Sequence, residues 1–76
     1  MPELRTEGFD FEHEHQAEVF HRFLTGKRGF IYTEPRKDRG YWTVEVATYY
    51  GDMQEVRQVA QFFLDNVGSQ PEEVSA

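Results

Sequence analysis

Six side chains near the N-terminus are of types that bind metal ions: Glu12, His13, Glu14 and His15 in succession, then Glu18 and His21. Imidazoles and carboxylates are good ligands for zinc or manganese. If the segment is helical, His13 and His15 stand about 200° apart around the axis and cannot share an ion. Glu14, Glu18 and His21 do share a face, but the first and last are separated by roughly 10 Å of rise, so only neighbours could chelate together. A solvated acidic helix face is the simpler reading, and no metal site or cofactor is assigned. In an extended segment His13 and His15 would instead point the same way and could hold a weak surface metal, and the same histidines could modulate an interface with pH.

Nucleophilic catalysis has little to work with. The chain has no cysteine, and its serines, Ser69 and Ser75, both fall in the C-terminal segment. A thiol nucleophile is therefore absent, and no Ser-His-Asp set can be mounted on a rigid scaffold. Fourteen carboxylates leave room for a paired-carboxylate site, but a chain this short offers little volume for an enclosed pocket. The expectation is a protein that is not an enzyme.

Gly26-Lys27-Arg28-Gly29 has the composition of a phosphate loop. The order is reversed, however. A P-loop leads from a strand into a helix N-terminus, whereas here a helix ends and a strand begins, so the cations suit the negative end of the helix dipole.

The most suggestive stretch is Arg36-Lys37-Asp38-Arg39-Gly40-Tyr41-Trp42-Thr43-Val44, where cations lead directly into an aromatic strand. Arg39-Gly40-Tyr41, with Val44 three places on, looks similar to the opening of the RNP1 strand of RNA-recognition domains. The similarity covers about eight residues. Trp42 stands where a small residue belongs, and Thr43 and Val46 replace the later aromatics. Glu45 would also repel a phosphate backbone.

These residues need a scaffold, and the apolar pattern supplies one. Val56, Val59, Ala60, Phe63 and Val67 recur at helical spacing behind Asp52, a good N-cap, with Glu55 three places on and Gly68 where a C′ glycine belongs, which predicts a helix over 52–67. A second helix is expected over 12–25, closed by Gly26, with Asp10, Glu12 and Glu14 favouring its N-terminus and Ala17, Phe20, Phe23 and Leu24 facing inward. Residues 29–33 and 41–50 are rich in aromatic and β-branched types and read as strands, joined by a hairpin loop over 34–40. Alternation turns Trp42, Val44 and Val46 towards the helices and Tyr41, Thr43, Glu45, Ala47 and Tyr49 away from them. Residues 4–11 would add a strand with Phe9 and Phe11 on one side.

The resulting order is β-α-β-β-α, a small two-layer α+β sandwich of the ferredoxin-like kind lacking its last strand, with both helices on one face of the sheet. One domain would occupy 1–67, and 68–76, polar and without periodicity, would be a disordered tail. At 76 residues the core is small, so association with a partner or a second copy would relieve a thin stability margin.

Charge is unevenly spread. Between residues 22 and 39 six cations face two carboxylates, while the rest of the chain sets two cations against twelve, for a net charge of −6. That net field disfavours non-specific adhesion to nucleic acid or an anionic membrane. No stretch is apolar enough to span a bilayer and no secretory h-region opens the chain, so a cytoplasmic location is expected.

The sequence therefore suggests an interaction module that binds a protein, or itself, through a sheet face and hairpin carrying Arg36, Lys37, Arg39, Tyr41, Thr43, Tyr49 and Tyr32. The alternative is a single-stranded RNA binder using the same cations on phosphates and Tyr41 and Tyr49 on bases.

Overall fold

Tyr41–Thr48 (β4) is the longest strand and the axis of the sheet in a computed structural model that describes residues 3–67. On one side it pairs antiparallel with Arg5–Phe11 (β1), from Arg5 opposite Thr48 to Phe11 opposite Trp42. On its other side Ile31–Tyr32 (β2) and Arg36–Asp38 (β3) lie end to end, both antiparallel to it. Glu14–Thr25 (α1) links β1 to β2, and Met53–Asn66 (α2) follows β4. Since β1 and β2 both run against β4, they are parallel to each other with β4 between them. This is the split βαβ arrangement expected from sequence, without a further strand beside β1 among the described residues.

Three residues of the segment expected to be a hairpin loop, 36–38, are strand. Residues 36–38 join the ladder because the turn closes in only two residues, Arg39 at φ 55° and Gly40 at φ 86°. Two successive positive φ values are the mark of a type I′ hairpin turn, whose twist matches that of the strands it joins. Between β2 and β3 the register slips by one: three residues, 33–35, stand opposite only Val44 and Glu45. Thr33 spans this bulge, its N–H donating to the Glu45 carbonyl and its hydroxyl accepting from the Glu45 N–H, each at 3.0 Å. Pro35, with no N–H to donate, sits in the bulge where the ladder does not need one.

The core lies between sheet and helices. Phe9, Phe11, Val44 and Val46 meet Ala17, Phe20 and Leu24 from α1 and Met53, Val56 and Ala60 from α2, all buried. Phe20 is the hub, with ring centroids 5.1 Å from Phe9, 5.2 Å from Phe11 and 6.4 Å from Phe63. Full burial of such a ring contributes about 1.5–3 kcal/mol.

Helix α1 starts later than the pattern alone indicates. His13 caps α1, so Asp10 and Glu12 stand outside it; Asp10 belongs to β1 and accepts the Thr43 hydroxyl at 2.7 Å. The buried Gln16 accepts the His13 N–H at 3.1 Å and donates to the Val67 carbonyl at 2.7 Å, tying the start of α1 to the end of α2. Asp52 caps α2 as expected, accepting from the N–H groups of Gln54 and Glu55. Glu55 does not complete a reciprocal box. Its carboxylate reaches Lys27 at 2.8 Å instead. Gly68 and the expected tail over 68–76 lie outside the described residues.

One buried hydroxyl closes the end of the sheet. Thr48 donates to the Gly29 carbonyl at 2.6 Å and accepts the Gly51 N–H at 2.8 Å. A Cβ at Gly51 would collide with the Phe30 ring and that hydroxyl, so only glycine allows the chain to pass here. No helix among the described residues is long and apolar enough to cross a membrane.

Candidate functional site

Alternation along β4 creates two unlike surfaces from one strand. Val44, Val46 and Thr48 are buried beneath the helices, while Tyr41 and Glu45 point to the other side, which no helix among the described residues covers. The ladders fix what lies across this open face: Thr6, Ala47 and Ile31 in one row, Gly8 beside Glu45 in the next, and Asp10, Thr43 and Arg36 in the third. Asp38 and Tyr41 complete it at the hairpin end.

Four of the residues expected to bind a partner lie on this face. Arg36 and Thr43 are direct neighbours, Tyr41 is 49% exposed and Tyr49, one step past the end of β4, is 48% exposed. Arg39 is held in the turn at the tip. Two others go elsewhere. Tyr32 stands opposite Val46 on the helix side, its ring 5.2 Å from that of His21, because the β4 register assigns it to the face of Val46. Lys37 stands opposite Trp42, and its ammonium lies 5.9 Å from the centre of the indole. The cations of the hairpin therefore divide between the two sides of the sheet rather than forming one basic patch.

The two tyrosines are also far apart. Eight residues of strand at about 3.4 Å each place Tyr41 and Tyr49 roughly 27 Å from one another, with Thr43, Glu45 and Ala47 between them. The face is polar and small in its middle and apolar at the end away from the hairpin. That apolar end is where sequence reasoning fell short. Ile31, 61% exposed, sits beside Ala47, and Leu4, 45% exposed, lies just before β1 where alternation brings it alongside Tyr49. The run Phe30-Ile31-Tyr32 is apolar throughout, so its periodicity cannot say which ring or side chain faces out; the pairing with β4 does.

The other constellations have structural work. His13 caps α1, His15 Nδ1 lies 4.0 Å from Glu18 and His21 packs on Tyr32. Among the described residues no group of three or more histidines and carboxylates is placed to hold a metal ion. Lys27 lies over the rings of Phe23 and Phe30, at 5.3 and 5.8 Å, while pairing with Glu55. It thus joins the turn after α1 to the first turn of α2, where a phosphate ligand would have to displace a carboxylate.

No protein-family model, curated protein sequence or solved structure matches this chain.

Proposed function

We propose that this chain is a small, non-enzymatic interaction module that binds another protein through the open face of its sheet and the tip of its hairpin. The observation that carries the reading is the uncovered face itself, with Ile31, Tyr49 and Leu4 exposed at one end and Tyr41 at the other. Apolar and aromatic side chains grouped on an uncovered face are the usual core of a binding surface, and tyrosine and arginine are favoured at its strongest points. Ile31, Ala47, Tyr49 and Leu4 supply the apolar contact. Arg36 and Arg39, at the opposite end, would orient an acidic segment of the partner. The cytoplasm is the compartment proposed for this binding.

A single-stranded RNA would need aromatics at the spacing of successive bases along a cationic track. Tyr41 and Tyr49 lie too far apart for this, and Glu45 sits between them. The spacing therefore favours a protein ligand.

The test uses immobilised wild type, Ile31→Lys and Arg36→Glu with Arg39→Glu, each checked for folding by circular dichroism, to capture binders from cell extract with and without nuclease. A protein retained by wild type, lost from Ile31→Lys and held more weakly by the charge-reversed variant is the expected result. Retention that disappears with nuclease, or that is indifferent to both variants, would overturn the reading.

A further inference from the structure

The two edges of the sheet are built differently. The edge formed by β2 and β3 is two residues, a bulge with Pro35, then three residues. Short strands, bulges and proline are the devices by which proteins keep a sheet edge from pairing with another chain. The β1 edge is seven residues long with no proline or bulge, and its guards are the charged side chains of Arg5, Glu7 and Asp10. Its seven residues all pair with β4 on one side, and among the described residues no backbone hydrogen bond leaves the other. Every second N–H and C=O along it points outward.

The centre of that edge is Gly8, and nothing among the described residues calls for a glycine there. The left-handed glycines are Gly29 and Gly40, and a Cβ added at Gly8 would meet nothing within 4 Å. A glycine inside a strand weakens it relative to alanine. Such glycines often mark the close approach of another backbone. Alongside the edge, α2 runs in the same direction as β1: Arg57 grips Glu7 at 2.7 and 3.0 Å, and an open groove of ≈ 260 Å³ continues past Phe9, Ala60, Gln61 and Leu64 towards Phe11.

We infer that β1 pairs antiparallel with β1 of a second copy of this chain, about a two-fold axis through Gly8, so that two sheets become one. This goes beyond the proposed binding face, because it uses a different surface and leaves that face free. The self-complementarity argues for a second copy. With Gly8 on the axis all seven residues pair, Thr6 facing Asp10, Glu7 facing Phe9 and Arg5 facing Phe11 of the other copy, with no like charges opposed. Slipping the register by two towards the N-terminus would set Glu7 against Glu7. The same axis lays α2 antiparallel to its copy.

The experiment measures the dimer dissociation constant by sedimentation from micromolar to millimolar protein, for wild type, Gly8→Lys, Gly8→Glu and Ile31→Lys, with amide exchange of wild type followed over the same range. A concentration-dependent dimer is expected, and the β1 amides that β4 does not use should gain protection as it forms. Gly8→Lys opposes two ammonium groups at the axis and should weaken the dimer about fivefold, the upper end for like charges facing each other across strands. An equimolar mixture of Gly8→Lys and Gly8→Glu should restore it, and Ile31→Lys should leave it unchanged. A wild type monomeric throughout, or β1 amides whose exchange ignores concentration, would overturn the inference. A dimer destroyed by Ile31→Lys would instead assign self-association to the open sheet face, overturning the edge pairing while leaving the binding-face reading in place.

Discussion

The two faces of β4 share a backbone and differ in everything their side chains do. On the helix side Val44 and Val46 are wholly buried against Phe20 and its neighbours, and Thr48, 1% exposed, satisfies a carbonyl and an N–H at once. On the open side Thr43 makes an exposed hydrogen bond to Asp10, Glu45 stands in solvent, and Tyr41 is half exposed. Position in the alternation, rather than residue type, decides whether a threonine in this strand is structural or available. A residue on the first face contributes chiefly to stability, and one on the second can be used for recognition without weakening the fold.

The sharpest way to break that contrast is at the hub of the core. Phe20→Ala leaves a cavity among Phe9, Phe11 and Phe63 and should cost about 3–5 kcal/mol in urea unfolding, enough to leave so small a domain largely unfolded. A loss of less than about 1 kcal/mol would mean that the aromatic cluster does not hold the sandwich together. A matched pair within β4 sharpens the comparison. Thr48→Val leaves the Gly51 N–H without its partner and should cost about 1–3 kcal/mol. Thr43→Val removes only the exposed bond to Asp10 and should shift stability by no more than about 0.5 kcal/mol. Equal effects of these two substitutions, read from unfolding midpoints, would erase the distinction between the faces. The smallest effect on stability is expected at Ile31: Ile31→Thr keeps the β-branch, removes an exposed apolar group and should leave the midpoint within about 0.5 kcal/mol of wild type, while lowering the capture of a protein partner.

Helical spacing made both helices and their buried faces legible in the sequence, since Phe20, Leu24, Val56 and Ala60 recur every three or four residues and Asp52 marks a cap. Tyr41 and Thr43 were readable as outward residues because β4 alternates cleanly. The site was less legible where the chain is short or uniformly apolar. Residues 36–38 look like a charged loop, and only the two-residue turn at Arg39 and Gly40 makes them a strand. Tyr32 and Lys37 were expected among the partner-binding residues, yet pairing with Val46 and Trp42 turns both towards the helices. Ile31, conversely, gained its exposure from pairing with Ala47, and neither it nor Leu4 carries a local signal of exposure.

By itself, then, the sequence determined the number of helices, their inward faces, the pattern of β4 and the absence of any cysteine chemistry, because these depend on composition and on periods of two and of 3.6 residues. The tertiary structure decided which side of the sheet each edge residue faces, where the bulge falls, and that β1 is an edge of the sheet among the described residues. Those follow from the register between strands distant in sequence, and a one-residue slip such as the bulge at 33–35 reverses the face of every side chain beyond it.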